Sequence, residues 1–174
     1  MATFAELVAA KFDLMLIDVP IGLIDGPRAC DVEARALLGA RRSSVFPAPS
    51  RRLLTTQRYA GQCSVQLWNI LYKIREVDAG MTPRLQRRIR EAHPECSFAQ
   101  LNGGPLRFSK KTPEGLAERR ALLRPLFGTI PAVPGTAVDD VLDAYALLWS
   151  ATGPHAVLGN GERDVRGLHC EIVI

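Results

Sequence analysis

The sequence lacks several patterns that would each indicate a class of protein. Its four cysteines form no C-x-x-C pair, which argues against a structural zinc site. No stretch approaches the ~18 consecutive apolar residues of a membrane span, and the chain does not open with a basic-then-apolar signal pattern. Aromatic residues make up only 6%, which gives little support to base stacking on exposed rings. These absences predict a cytoplasmic protein with no membrane partner.

What is present is the composition of an ordinary globular protein with a modest positive charge. Apolar residues make up 47% and charged residues 23% of the 174 residues, enough to bury the core of one domain spanning residues 1–174. The formal net charge is +4, and arginine far outnumbers lysine. The planar guanidinium suits phosphate groups. The charge therefore fits nucleic acid as a partner, although a solvated arginine surface is the simpler explanation.

Hydrophobic periodicity along the chain predicts an α/β fold, because short apolar strands are interleaved with helical patterns. Pro94 is expected to end the element before it, Gly153-Pro154 is expected to end the last helix, and the proline-containing segment at residues 41–52 is expected to be a loop. The predicted strands cover residues 12–19, 88–93 and 168–174. The predicted helices cover residues 3–10, 31–38, 55–79, 112–126 and 139–151, and a further helix is expected to begin at residues 82–83.

The segment around Asp18 is the most informative part of the sequence. An apolar strand ends on this one carboxylate, and the chain then turns at Pro20 and Gly22. An acid at the carboxyl end of a hydrophobic strand is costly to place unless it binds a metal ion, a phosphate or a partner cation. Asp18 is therefore the first candidate site residue.

The last predicted helix opens with a second group of acids. Asp140 and Asp143 are three residues apart, so they share one face of the helix. Acids in a first turn also offset the helix dipole, and capping is the simpler explanation for Asp139. Asp143 has apolar residues around it in the sequence, which favours a functional or paired role.

The tripeptide His93-Pro94-Glu95 adds two candidates. Pro94 restricts the backbone, so Glu95 is expected to be held at the end of a strand, although an exposed acid in a plain turn fits as well. His93 suits a metal ligand or a general base, but a buried histidine bonded to a backbone carbonyl is the more common arrangement.

These acids lie on different predicted elements and together suggest a metal centre. Divalent ions such as Mg²⁺ and Mn²⁺ take oxygen ligands, and two-metal phosphoryl-transfer sites are built from clustered carboxylates. We therefore predict Mg²⁺ or Mn²⁺ as cofactor. The candidate catalytic residues are Asp18, Glu95, Asp140 and Asp143, of which Asp18, Asp140 and Asp143 are the predicted metal ligands.

Several distinctive motifs run along the chain. They are IDVPIGL at 17–23, RACD at 28–31, RRSSVFPAP at 41–49, KIREVD at 73–78, HPE at 93–95, LNGG at 101–104, SKKTPEG at 109–115 and DDVLDA at 139–144. From about residue 4 to its end, the chain resembles in these motifs the predicted RNase H-like nucleases, a prokaryotic family. The resemblance implies an RNase H-like α/β fold with a mixed sheet flanked by helices. In such folds, metals are held by an acid on the first strand, one on a later parallel strand and one or two on a late helix.

The resemblance also assigns the candidate acids to positions in that family. Asp18 matches the acid of the later strand. Asp140 and Asp143 resemble the D-x-x-D pair that opens the last helix of Holliday-junction resolvases, which share the fold. Glu95 matches the family's His-Pro-Glu motif.

The chain departs from the family pattern at its start. Family members usually begin with a glycine-rich strand that carries an aspartate, followed by two antiparallel strands, and this sequence starts after them. We therefore expect the first three strands and the first-strand acid to be missing, with weakened or lost activity as the consequence. The strand at residues 12–19 would then have an unpaired edge, which a second copy in a homodimer or another partner would cover.

The first functional hypothesis is a metal-dependent nuclease or phosphodiesterase that acts on nucleic acid or another phosphoester. Two basic segments are expected to hold phosphate, although solvation of surface loops explains the same charges. The sequence shows no acid–base triad that would make Ser43 or Ser44 a nucleophile. The phosphate-binding candidates are Arg41, Arg42, Ser43, Ser44, Lys110 and Lys111, together with Arg51 and Arg52.

Two other functions remain open from the sequence. The second hypothesis is a non-catalytic binding or assembly module that keeps the scaffold without a full site. The third hypothesis is a protein that binds nucleotide phosphates, because sugar kinases and actin-like ATPases also have RNase H-like cores. The third is disfavoured because the chain is too short for two lobes and has no phosphate-binding glycine loop.

Overall fold

The computed structural model describes residues 3–153 and 156–174, in which helices and strands alternate. Two 3₁₀ helices, Gly39–Ser44 and Arg51–Thr55, lie in the segment that was predicted to be a loop. The strands are β1 (Met15–Ile17), β2 (Ile89–Glu91), β3 (Val157–Leu158) and β4 (Ile172–Val173). The α-helices are α1 (Phe4–Ala9), α2 (Ala29–Leu38), α3 (Val65–Gly80), α4 (Pro83–Gln86), α5 (Pro94–Asn102), α6 (Pro113–Phe127) and α7 (Val138–Thr152).

The strands form two two-stranded sheets, one parallel and one antiparallel, and together with the helices they confirm the predicted α/β class. Strands β1 and β2 pair in parallel, with Met15 opposite Ile89, and β3 pairs with β4 in antiparallel fashion. An isolated parallel bridge between Ala92 and Val173 links the two sheets. Within residues 3–153 and 156–174, β1 pairs with β2 on one side and with no strand on the other.

Helices pack on both faces of the β1–β2 sheet. Successive residues of a strand point to opposite sides, so each face presents its own apolar side chains to a helix. Met15 and Ile17 pack into the core shared with α1 and α3. Leu16, between them, packs on the opposite side with Leu147 of α7. Helices α5 and α6 then pack against α7 through Phe98, Leu123 and Leu142. The carboxyl end of β1 therefore lies directly beside α7.

Threonine caps begin three of the helices where the sequence predicted starts. Thr3 and Glu6 form a reciprocal capping box at α1. Thr82 and Thr112 accept hydrogen bonds from the backbone N–H three residues later, and a proline follows each in the first helical turn. These local signals were sufficient to place α1, α4 and α6.

Other boundaries differ from the prediction for local reasons. The first and last strands are shorter than residues 12–19 and 168–174, and the helix predicted from residue 55 begins only at Val65, after its cap Ser64. Strand β2 ends before Pro94, in line with the prediction. Pro94 also starts α5, a helix that was not predicted, where its missing N–H is not needed. Helix α7 ends with Gly153 as its C-cap, and Pro154, also predicted as part of that stop, lies outside the described residues.

None of the helices in the described part of the chain is long and apolar enough to span a membrane.

Candidate functional site

A cleft of about 510 Å³ opens at the carboxyl end of β1. Its walls come from the 3₁₀ helix Gly39–Ser44, from α3, from the start of α5 and from the loop at residues 109–111. Charged side chains of both signs line it, including Asp18, Arg41, Lys73, His93, Glu95 and Lys110. A cleft of this size is typical of a site for a small molecule or for a short segment of a larger one.

The fold brings Asp18 within electrostatic range of Asp140 and Asp143 on α7. Asp18 follows β1 directly and lies two residues after Leu16, whose side chain packs toward α7. On α7, Asp140, Asp143 and Leu147 are spaced by three and four residues, so they form one stripe along the helix. Leu147 packs with Leu16, and Asp143 and Asp140 lie one and two helical turns before Leu147, although neither acid lines the cleft itself.

The chain turn that follows Asp18 is held in place by a buried arginine. Arg28 donates from Nη1 to the carbonyl oxygen of Ile21 at 3.0 Å and to that of Gly22 at 3.3 Å. Gly22 has a φ of +77°, and a Cβ there would lie 2.6 Å from the carbonyl oxygen of His169. The turn is therefore fixed from two sides, which fixes the direction in which the chain leaves Asp18.

Asp18 is open to solvent at the surface of the cleft, yet it lies in a recess where loss of solvation raises the pKa of its carboxyl. The negative charge of Asp140 acts in the same direction. Electrostatic interactions with His93, Lys110 and Lys73 counteract this rise in pKa. An accessible carboxylate with a perturbed pKa, surrounded by cations, is a common feature of functional sites.

Asp143 is buried and has only one of its oxygens satisfied. Lys110 donates to Oδ2 at 2.5 Å, whereas Oδ1 is buried without a hydrogen-bond partner among the described residues. Burial raises the pKa of Asp143, Lys110 lowers it, and the charges of Asp18 and Glu95 raise it further. The three carboxylates therefore lie within electrostatic range of one another.

The remaining acids of α7 do not cap the helix. Its N-cap is Ala137, which makes no side-chain cap hydrogen bond, so the capping interpretation of Asp139 was wrong. Asp139 is instead paired with Lys111 at 2.5 Å, and Asp140 is exposed. Lys110 and Lys111 thus neutralise two acids that are one helical turn apart, Asp139 and Asp143.

Glu95 lies in the first turn of α5 rather than at the end of a strand, and arginines hold both of its oxygens. Fully buried Arg119 forms a close ion pair with Oε1, and Arg41 approaches Oε2 at 3.5 Å. Arg119 is itself fixed by the carbonyl oxygen of Gly115 at 3.0 Å. Glu95 therefore positions Arg41 at the cleft, and the exposed-turn interpretation was wrong.

His93 also lines the cleft. One ring nitrogen, Nε2, lies 3.1 Å from the carbonyl oxygen of Ser44, which confirms the predicted histidine–carbonyl contact. Nδ1 is buried without a hydrogen-bond partner in the described part of the chain. The contact ties α5 to the 3₁₀ helix Gly39–Ser44.

The predicted phosphate-binding residues fall into two groups. Arg42 and Arg52 are exposed and do not line the cleft. Arg51 is paired with Asp78 at 2.9 Å and closely with Asp164, so it holds the C-terminal segment rather than a ligand. The members that do line the cleft are Arg41, Ser43, Ser44, Lys110 and Lys111.

Sequence reasoning missed three basic residues that shape the site. Lys73 lines the cleft, and its spacing from Gln66 and Ile70 would have placed all three on one face of α3. Arg28 and Arg119 are buried, and no local pattern distinguishes them from surface arginines. Arg28 pairs with nearby Asp31, but its second partner Glu91 and the Arg119 partner Glu95 come from distant parts of the chain.

The carboxylates near the cleft offer only a few ligands for a divalent ion. Across residues 3–153 and 156–174, no three His, Cys, Asp or Glu side chains form a cluster that could hold a metal. Mg²⁺, however, is commonly bound by one or two carboxylates, with water and substrate phosphate completing its shell. The buried, unpaired Oδ1 of Asp143 is an oxygen that lacks a partner and would gain one from a cation. The donor set therefore fits only an ion that is held by one or two carboxylates, with water and substrate oxygens as its other ligands.

Replacing Gly115 by Ala is expected to lower the free energy of unfolding by about 1–3 kcal/mol, because a Cβ there would lie 1.9 Å from the carbonyl oxygen of Ser109. Gly115 packs the first turn of α6 on the residue that precedes Lys110 and Lys111. Urea denaturation checks the expected loss.

Gly104→Ala is the matched control, because a Cβ at Gly104 meets nothing within 4 Å. Alanine is a better helix former than glycine by about 1 kcal/mol. A Gly115→Ala protein at least as stable as the wild type would therefore show that α6 does not depend on this close contact.

Comparison with known proteins gives one match. The profile of a family described as "Protein of unknown function (DUF429)" matches residues 1–163. No curated protein and no solved structure matches the chain.

Proposed function

Because the chain belongs to the DUF429 family, for which an RNase H-like fold is predicted, we propose that its cleft is the site of a divalent-metal-dependent phosphodiesterase. The substrate would be nucleic acid or a smaller phosphoester. The cleft contains the two components that such a site needs, which are carboxylates for a cation and basic groups for phosphate.

A single observation supports this proposal most directly. Asp18 and Asp143, which are far apart in the sequence, lie in electrostatic contact, and Asp143 keeps a buried carboxylate oxygen without a partner. A fold stabilised by its core alone gains nothing from two carboxylates that raise each other's free energy. Such an arrangement is typical of a site that is completed by a cation.

The residues would divide the work between cation and phosphate. Asp18 and Asp143 would hold Mg²⁺ or Mn²⁺, with exposed Asp140 one turn away on α7, and the ion when bound would supply charge to the leaving oxygen and lower the pKa of a water. Lys73 and Arg41 would bind the non-bridging phosphate oxygens. Glu95, whose oxygens are already occupied, would contribute by orienting Arg41.

The test is hydrolysis of bis(p-nitrophenyl) phosphate and of labelled single-stranded DNA and RNA by the full chain. We expect turnover with Mg²⁺ or Mn²⁺ and its loss after treatment with EDTA, because the cleft then lacks the charge that its acids are arranged to hold. Mn²⁺ binding measured by isothermal titration calorimetry should accompany the activity.

Equal rates with Mn²⁺ and with EDTA would contradict the proposal, as would the absence of Mn²⁺ binding. Comparison of the three substrates distinguishes a nuclease from an enzyme for small phosphoesters. Recovery of the EDTA-treated activity on addition of excess Mn²⁺ controls for damage by the chelator.

A second candidate, a non-catalytic module that binds anions, is favoured by one observation. Within the described residues, Asp139, Asp143 and Glu95 already have basic partners, and no three-ligand metal cluster is present. Such a module would bind the oligonucleotides with unchanged affinity in EDTA and would not hydrolyse them. Titration of the full chain with the oligonucleotides, in the presence and in the absence of EDTA, separates the two candidates.

A further inference from the structure

Lys110 occupies an unusual position among the cations of the cleft. Its Nζ lies 2.5 Å from Oδ2 of Asp143, and the side chain is only 32% exposed. Burial lowers the pKa of Lys110, but the hydrogen bond and charge of Asp143, followed by the charges of Asp18 and Asp139, raise it above its ordinary value. One ammonium is thus in contact with one of the proposed metal ligands and in electrostatic range of another.

The backbone beneath Lys110 holds this ammonium in place. Ser109 accepts hydrogen bonds at its carbonyl oxygen from the backbone N–H of Thr112 at 3.0 Å and from the Thr112 hydroxyl at 3.1 Å. Gly115 packs against the same carbonyl. The lysine therefore projects from a turn whose backbone is held by these contacts, and its side chain reaches Asp143 from there.

A lysine ammonium and a divalent cation cannot both lie against the same carboxylate pair without strong repulsion. We propose that Lys110 is an internal counter-cation, occupying the cation position at Asp143, so that a divalent ion binds there only by displacing it. This inference rests on the proposed function. Lys110 would then set the metal affinity of the site. Its ammonium would neutralise the Asp143 carboxylate until a metal ion binds.

Lys111 provides a matched comparison on the next residue. It pairs with Asp139 at the same 2.5 Å distance, but its side chain is 71% exposed and Asp139 is not among the proposed ligands. Removal of Lys111 takes one positive charge from nearly the same place. It leaves Asp143 and Lys110 as they are.

The experiment is Mn²⁺ titration of the full chain by calorimetry, without substrate, for the wild type and the variants Lys110→Met and Lys111→Met. We expect Lys110→Met to bind Mn²⁺ about tenfold more tightly (about 1.4 kcal/mol) and Lys111→Met to stay within about twofold. The gain should persist at high salt, because displacement from direct contact is screened less than long-range attraction.

Thermal unfolding gives a second measurement that does not depend on the enthalpy of binding. Without metal, Lys110→Met should melt below the wild type because Asp143 loses its partner, and Mn²⁺ should raise its melting temperature more than that of the wild type. Lys110→Gln serves the same purpose if the methionine variant does not fold.

Equal Mn²⁺ affinities for wild type and Lys110→Met would overturn the role of Lys110 while leaving the metal site intact. An equal gain in Lys111→Met, or a gain that disappears at high salt, would overturn it too, because general charge would then explain the result. Absence of Mn²⁺ binding in all three proteins would overturn the proposed function together with this inference.

Discussion

Replacement of Asp18 by Asn is expected to lower kcat/KM for phosphodiester hydrolysis about 100-fold or more, a loss of about 2.7 kcal/mol of transition-state stabilisation. Asparagine keeps the shape of the side chain but removes its charge. The proposed cation would then lose the accessible one of its two main ligands, while buried Asp143 remains paired with Lys110. Initial rates with bis(p-nitrophenyl) phosphate at saturating Mn²⁺ measure the effect.

The same substitution should leave stability unchanged or increase it. Loss of solvation raises the pKa of Asp18, so its ionised form is less favourable in the folded protein than in water. A neutral amide does not carry that penalty. Loss of activity together with equal or higher stability is the signature of a residue that is retained for function. A purely structural residue would lose both.

Asp13→Asn is the matched control, because Asp13 is exposed on the segment that leads into β1. Its activity and melting temperature should match those of the wild type. If Asp18→Asn retains wild-type kcat/KM, Asp18 is not part of a catalytic site, and the phosphodiesterase proposal loses its central residue.

The sequence predicted the parts of the site that depend on local pattern. An apolar run that ends on a carboxylate identified the end of β1, and the spacing of Asp140 and Asp143 identified one face of α7. That Asp18 lies near the acids of α7 was inferred from a family resemblance. The packing of Leu16 on Leu147 supplies the physical reason for it. The Thr-Pro helix starts were equally local and equally predictable.

The partners of the charged groups could not be predicted, because they depend on contacts across the chain. Glu95 meets Arg119 24 residues later, and Lys110 meets Asp143 33 residues later. A single sequence does not distinguish a lysine that binds phosphate from one that neutralises an acid. The prediction that Lys110 holds phosphate therefore identified the right cleft but missed the contact with Asp143.

Replacement of Arg28 by Met is expected to lower the free energy of unfolding by about 3–5 kcal/mol, the range for breaking a buried ion pair from one side. Arg28 is only 2% exposed and joins two acids, Asp31 at 2.5 Å and Glu91 at 2.7 Å. Glu91 also accepts from the backbone N–H of Ile21 at 2.7 Å. Loss of the guanidinium would leave two buried carboxylates without their main donor. Chemical denaturation measures the change.

The loss of folding stability caused by Arg28→Met should be smaller at low pH than at neutral pH. Burial raises the pKa of Glu91, and the charge and hydrogen bonds of Arg28 counteract that rise. Without Arg28 the pKa of Glu91 in the folded variant rises further above the unfolded value of about 4.3. A raised carboxyl pKa destabilises the fold at high pH, and the penalty disappears as the group takes up a proton. The stability difference between variant and wild type should therefore narrow as the pH falls toward about 4.

Two further variants separate the charge effect from the loss of packing. Arg28→Met combined with Glu91→Gln should recover part of the stability, because an amide is less costly to bury than an unpaired carboxylate. Arg120→Met, at an exposed arginine on α6, should stay within about 0.5 kcal/mol of the wild type. A difference that stays constant with pH and is not reduced by Glu91→Gln would mean that Arg28 stabilises the turn after Asp18 by packing and backbone contacts alone. In that case the geometry of the cleft would not depend on the buried charges beneath it.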